Sequence, residues 1–475
     1  MIAANETGQR MHRLMAELLP LHRSMTGAGV RQTLRRLASE IPLEIHEVPS
    51  GARVFDWIVP QEWVFRDAYV KDETGRRIVD AKKLNLHVLA HSQPVRGVMR
   101  FSELRRRLRT RPDMPDAVPY HTAFFRQDWG FSVSHRQLRQ MEAAGNRLYE
   151  VVIDADHVDG SLTYGECFLR GTSTEEILIS THTCHPSLCN DNLSGIAVAT
   201  ELARRLAATP RRFSYRFLFL PATIGAIAWL WRNRDRLDRV RGGLIVANVG
   251  DPGGFTYKKS RRGDGELDRV AAHVLPHGAA PYEIRDFSPV GYDERQFCSP
   301  GIDLPMGCFM RTPDAEYPEY HTSADNLDFV TPAALAGTLK TLGAMCDVLE
   351  ENRAYRNENS ACEPQLGRRG LLQGGVSYHE DRQRYEALLW TLNFSDGAHT
   401  LLDIAARANM PFGLIREAGQ KLHAAGLLTP LPDRGGANTE NKHRGADRIH
   451  PHANGRSRMA AGDWQPQSSP IEVLA

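Results

Sequence analysis

Between residues 177 and 249 the chain alternates short apolar runs with amphipathic stretches, and this alternation constrains the fold more than any other feature. Residues 177–180 read as a strand, and 194–206 as a helix with Ile196, Ala199, Leu202 and Leu206 on one face. Strand 215–220, helix 226–234 and strand 243–249 follow. Such a pattern predicts an α/β fold with a mostly parallel, twisted sheet and helices on both faces. In sheets of this kind function gathers in loops at the carboxyl ends of the strands. Here those are the loops after Ser180, Leu220 and Val249.

Outside this stretch the character changes. Met11, Leu14, Leu18 and Leu21 recur at helical spacing, so residues 8–42 read as a helix and its exit. From Val54 to about Ser134 there are short β-like runs, 54–59 and 84–89, bounded by turn residues. They predict a separate β-rich unit. Its basic run, 105–111, reads as a solvated helix end, with an anion-binding surface as the sharper alternative. Residues 381–392, 400–408 and 411–425 predict three short helices of winged-helix form. Arg416 and Lys421 on the third make no dense basic face, so a packing role is at least as well supported as DNA binding. Gly, Asn, Arg, Pro and Ser dominate after Thr429, which predicts a disordered tail in which His443, His450 and His452 carry little weight as ligands. The expected organisation is therefore an N-terminal part of the main domain at 1–50, a β-rich insertion at 51–140, the main site-bearing domain at 141–355, a winged-helix module at 376–430 and a tail at 431–475.

Composition closes off several classes. A net charge of +2 over 475 residues supplies no argument for nucleic acid or an acidic partner. No apolar stretch approaches a membrane span, and the N-terminus shows no signal-peptide pattern. Seven cysteines, an odd number without that pattern, predict reduced thiols and a cytoplasmic protein.

Chemistry concentrates in HTCHPSLCNDNLSG, His182 to Gly195. Two histidines and a carboxylate at a strand end suit a metal hydrolase, which draws nitrogen and oxygen donors from several strand-end loops and leaves one position open. Asp191 stands just before a helix, where capping with Asn192 and Ser194 is the bland role and metal bridging the sharp one. Asp251, in a Pro-Gly-Gly turn, is either a turn former or an oxygen donor. His321, in YPEYHTSAD, has no apolar periodicity around it, which weakens a core role. Asp293, Glu294 and Arg295 form either a surface ion pair or a substrate contact. Cys184 and Cys189 lack the Cys-x-x-Cys spacing of redox or structural zinc motifs.

At these residues the chain resembles the zinc aminopeptidase superfamily. It is most similar to the aminopeptidase-like branch with a small inserted β-rich domain and a C-terminal winged helix. Segments such as FDWIVPQEWVFRDAYV, LNLHVLAHSQPVRG, GSLTYGE, GYDERQFCSPG and EYHTSADNLDF carry the likeness, from about residue 10 to 430. The resemblance implies a zinc-dependent hydrolase of an amide or peptide bond with one or two ions. It implies His182 or His185 and Asp251 on one ion, Asp191 bridging, and His321 on the second. Asp293 and Glu294 are the expected catalytic carboxylates, with Arg295 and Tyr320 facing substrate. The expected partner is a small peptide-like or acylated-amine substrate, in protein breakdown or in polysaccharide or secondary-metabolite biosynthesis. Neither membrane nor nucleic acid is expected, and the insertion and winged helix offer contact surfaces for a homo-oligomer. Two departures stand out: Cys184 replaces the Asp expected two residues after the first histidine, and 220–225 (LPATIG) lacks the superfamily's Glu-Glu pair. Loss of that base costs about 10²–10⁴-fold unless another group substitutes. The competing reading is a catalytically reduced metal- or ligand-binding protein with the same fold.

Overall fold

The computed structural model describes residues 2–371 and 380–432; the expected disordered tail, past Pro432, lies outside the described residues. Eight strands form the central sheet: β1 (Leu43–Pro49), β2 (Ser161–Leu169), β3 (Glu176–His182), β4 (Ser214–Leu220), β5 (Val240–Val246), β6 (Phe255–Lys258), β7 (Tyr282–Arg285) and β8 (Met306–Met310). Their order is β1-β2-β4-β3-β5-β8-β6-β7. The middle four, β4, β3, β5 and β8, are mutually parallel, while β1, β2 and β6 join antiparallel at the flanks. The sheet is thus mixed, with the expected parallel arrangement at its centre.

All seven residues of β3 are buried. Ile177 and Ile179 point into one hydrophobic cluster and Leu178 into the other, as the two-residue strand period requires. One face is covered by α1 (Ile2–Leu18), α2 (Gly195–Ala207) and α4 (Pro332–Glu351), the other by α3 (Ile224–Asn233). Since β3 and β4 run parallel and in register, His182 lies beside Leu220 and both strands end at the same edge. That edge carries the site.

The insertion is a four-stranded antiparallel sheet in the order Arg77–Asp80, Glu62–Lys71, Leu148–Val158, Val95–Arg100. It has its own core, with Trp63, Val70, Val79, Phe131, Leu138, Val151 and Ile153. Its last strand runs well past residue 140, because Tyr149, Val151, Ile153 and Ala155 alternate into that core while their strand pairs with Glu62–Lys71. The run 84–89 is not a strand: Asn85–His87 is a single 3-10 turn, held where the Asn85 amide donates to Pro20 O and Ser187 Oγ. The basic run 105–111 is largely neutralised by partners, Arg105 with Glu142, Arg107 with Asp128 and Arg111 with Asp113.

At the C-terminal end α5 (Glu380–Phe394), α6 (Leu401–Ala408) and α7 (Phe412–Ala424) accompany a small sheet of Ala354–Asn357, Asp396–Thr400 and Leu428–Pro430. Thr400 and Asp403 form a capping box that starts α6, and Asn409 ends it in the left-handed conformation. On α7 Lys421 pairs with Glu417 at 2.8 Å and Arg416 is half-buried. Among the described residues no helix is long and apolar enough to cross a membrane.

Candidate metal centre

The residues from Cys189 to Ser194 do not continue α2 as a regular helix. Asp191 and Asn192 have non-helical dihedrals, and both are buried. Asp191 does not cap α2. Instead, its backbone N–H and that of Asn190 donate to the two oxygens of Asp325 at 2.9 and 2.5 Å. Ser194 Oγ donates to Asn190 O and accepts from Val249 N–H. Burial pushes the Asp325 carboxyl up to about 8, against the pull of the amides it accepts. With its backbone held this way, the Asp191 carboxylate is turned inward, completely buried.

Three imidazoles face it. His182 Nε2 lies 2.8 Å from Asp191 Oδ1, His321 Nε2 2.9 Å from Oδ2, and His185 Nε2 3.7 Å from Oδ2. His182, His185 and Asp191 form a buried group whose donor atoms all lie within 4.8 Å of one another. Burial opposes ionisation of Asp191, but the facing His185 and His182 more than offset it and hold its carboxyl well below the usual carboxylate range. Burial in turn holds the His185 imidazole well below its ordinary value. Asp191 Oδ2 and His321 Nε2 are each buried without a hydrogen bond, although they are only 2.9 Å apart. His321 sits at φ +54°, a left-handed conformation that costs free energy and recurs at functional sites. A buried carboxylate oxygen that faces imidazole nitrogens and has no hydrogen-bond partner fits a borderline-soft divalent ion such as zinc.

The other expected residues are placed differently. Asp251 is not part of this group. Its Oδ1 accepts from Gly253 N–H and Thr312 Oγ1, and its Oδ2 from Asn190 Nδ2 and Thr312 N–H, which occupies the carboxylate's acceptor positions. The reason is that β5 ends at Val246, three residues earlier than the sequence pattern indicates, so 251 falls in the return turn. The residue at the strand exit is Asn248 (φ +50°), whose Nδ2 donates to Tyr292 Oη at 2.6 Å. The Tyr292 ring stacks on His182.

Asp293 and Glu294 open a short helical turn, and both are buried. Glu294 forms an ion pair with Lys258 and is committed there. Burial pushes the Asp293 carboxyl up to about 7, moderated by the nearby His182 and Arg295. Arg295 is half-buried on the same turn. Tyr320 stacks flat on His321, centroids 4.0 Å apart. Burial pushes the Cys184 thiol up, so it is no thiolate nucleophile; its Sγ lies 3.2 Å from His185 Nδ1 and 3.7 Å from Ala222 O. Pro221-Ala222-Thr223, at the end of β4, brings no carboxylate to the site.

Sequence reasoning missed Tyr120 and Arg23. Tyr120 comes from the insertion; its ring centroid is 5.1 Å from those of both His185 and His321, and its N–H donates to His321 O. The adjoining Val118 and Ser323 exchange two hydrogen bonds, so the insertion is tied to the loop bearing His321. Arg23, wholly buried, donates from Nε to His185 O. No local pattern marks either residue; Asp325 and Asn192 could have been found as members of the quoted motifs.

The strand-end group on a mixed sheet defines the class: the fold is that of the zinc aminopeptidases. A zinc aminopeptidase from Bacillus subtilis superposes with a TM-score of 0.51 at 14% identity, over 71% of this chain and 94% of that one. A Shewanella amazonensis M28 peptidase precursor does so at 0.50 and 10%, over 73% and 96%. More specifically, the chain belongs to the aminopeptidase-like family described as "domain of unknown function (DUF4910)", matched over residues 12–352, followed by a winged helix-turn-helix over 353–430. A Clostridium acetobutylicum protein, named provisionally for polysaccharide biosynthesis and for an aminopeptidase-like domain, is 46% identical over 428 residues, 90% of this chain and 97% of its own. A crystal structure of a protein from that organism, provisionally called a peptidase, superposes with a TM-score of 0.86 at 45% identity, over 90% and 97%.

Proposed function

We propose that this protein is a zinc-dependent hydrolase of an amide bond in a small peptide-like or acylated-amine substrate. The observation that carries the reading is Asp191 Oδ2: ionised, fully buried, facing His185 and His321, and without a hydrogen bond of its own. A zinc ion held there supplies Lewis acidity toward a carbonyl and an acidified water. The chain's own residues supply the rest. Asp325 holds the Asp191 loop, the Asp191 carboxylate and the imidazoles bind the ion, and Asp293 takes up the proton. Asp293 suits that role because its carboxyl is poised near neutrality while Glu294 is held by Lys258. Only His321, with a side chain 23% exposed, opens the group to solvent, which favours a small substrate over a folded protein. The name of the Clostridium relative supports polysaccharide biosynthesis as the setting.

Pro221-Ala222-Thr223 favours a second reading, a metal- or ligand-binding protein without hydrolytic turnover. Elemental analysis of the purified chain, followed by hydrolysis assays on aminoacyl and N-acylated amino-sugar substrates with and without chelator, separates the two. Zinc near one equivalent with chelator-sensitive hydrolysis supports the first. Zinc with no turnover on any substrate supports the second, and a metal-free protein indifferent to chelator sinks the hydrolase reading.

A further inference from the structure

Proximity alone would count His182, His185 and Asp191 together as ligands. The hydrogen bonds divide them. Asn192 Nδ2 donates to Thr181 Oγ1 at 2.7 Å and lies 3.2 Å from both His182 O and His182 Nδ1. Its orientation is set by the carbonyl, which an amide nitrogen can approach and an amide oxygen cannot. His182 Nδ1 therefore faces an NH₂ group, an arrangement that favours the tautomer with its proton on Nε2. That Nε2–H points at Asp191 Oδ1 at 2.8 Å, an ordinary hydrogen-bond length. With one nitrogen against a donor and the other donating, His182 has no free lone pair toward the group.

His185 is arranged the opposite way. Cys184 Sγ approaches Ala222 O as a donor, so it receives the Nδ1–H of His185 at 3.2 Å. The lone pair of His185 then sits on Nε2, 3.7 Å from Asp191 Oδ2. This is too long for a hydrogen bond and close to the roughly 3.3 Å between two donors on one tetrahedral zinc with bonds of about 2.0–2.1 Å. Arg23 Nε, bonded to His185 O, fixes the backbone of the same residue. His321 Nε2 and Asp191 Oδ2 are both buried without a hydrogen-bond partner, as are Asn192 Oδ1 and Tyr120 Oη beside them.

We infer that the ion is held by His185 Nε2, Asp191 Oδ2 and His321 Nε2, and that His182 is a positioning residue that holds Asp191 through its Nε2–H. Two imidazoles and one carboxylate leave a fourth position open, as catalytic zinc sites do. Cys184, in place of the expected Asp, orients His185 rather than the histidine two residues before it. The inference rests on the zinc-hydrolase reading above.

Zinc affinity of the full chain, measured by chelator competition, tests it together with X-ray absorption on the zinc-loaded wild type. Two imidazoles in the ion's shell are expected; three would overturn the assignment. His182→Gln keeps an amide donor for Asp191 but offers no imidazole, and should bind zinc within about tenfold of wild type with the imidazole count unchanged. His182→Ala should lose about 10–100-fold, the usual cost of removing a ligand's hydrogen-bond partner. His185→Gln and His321→Gln should each lose at least about 10³-fold. Tight binding by His185→Gln, or loss of one imidazole in His182→Gln, would overturn the inference and leave the hydrolase reading standing. A wild type that takes up no zinc would sink both.

Discussion

β3 and β4 are adjacent, parallel and buried along their whole length, and they end at the same level. From His182 onward the first delivers two histidines, two cysteines and Asp191; beyond Leu220 the second delivers Pro, Ala and Thr. The contrast teaches that binding and proton transfer can be separated in one scaffold. Ligands must converge within a few ångströms, here from the braced loop after β3 and from the loop bearing His321. A base needs only a proton path, and a different loop can supply it; Asp293, in the turn after Gly291, is the residue proposed for it.

The largest effect should break the first strand end. Asp191→Asn removes the charge that both imidazoles face, and zinc affinity is expected to fall by more than about 10³-fold with hydrolysis undetectable, as read by competition titration and assay. Next, Asp293→Asn should retain zinc while kcat drops about 10²–10⁴-fold. If kcat holds, the base lies elsewhere and the contrast between the strand ends loses its second half.

The same carboxyl sharpens the comparison through pH. Its folded-state value of about 7 lies above the ordinary 3.8, so its contribution to stability is full below about pH 4 and is lost as pH rises through 7. Hydrolysis should therefore rise through pH 7 as stability falls. Asp293→Asn should flatten both, its advantage over wild type in urea titrations growing between pH 4 and 7 and reaching a few kcal/mol.

Asp251→Asn is expected to keep zinc within about tenfold and cost about 1–3 kcal/mol in urea unfolding, because Thr312 and Gly253 lose a charged acceptor. Loss of metal would make Asp251 a ligand after all. The smallest effect belongs to Lys421→Ala on α7, whose exposed pair with Glu417 is worth under about 1 kcal/mol. Zinc binding and hydrolysis should stay within about twofold.

Much of this was legible in the chain itself. The apolar runs at 177–180 and 215–220 and the helical faces of 194–206 and 401–408 place strands and helices because their burial periods differ. His182, His185, Asp191 and His321 stand out because polar residues at strand ends have no packing reason to cluster. Asp251 was expected as an oxygen donor; β5 ends at Val246, three residues before the apolar pattern indicates, and Gly253, Thr312 and Asn190 bond its carboxylate. Tyr120 and Arg23 left no trace, since their contacts cross more than 60 and 160 residues of chain.

The sequence by itself determined the α/β architecture, the edge where chemistry collects and the donor types gathered there, all consequences of local periodicity and composition. Only the tertiary structure decided which donors are free. That depends on whether Asn192 turns its amide nitrogen to His182, whether Cys184 faces Ala222, and whether Thr312 reaches Asp251. A lone pair is available only where no neighbour has taken it, and the neighbours are chosen by packing between segments far apart in the chain.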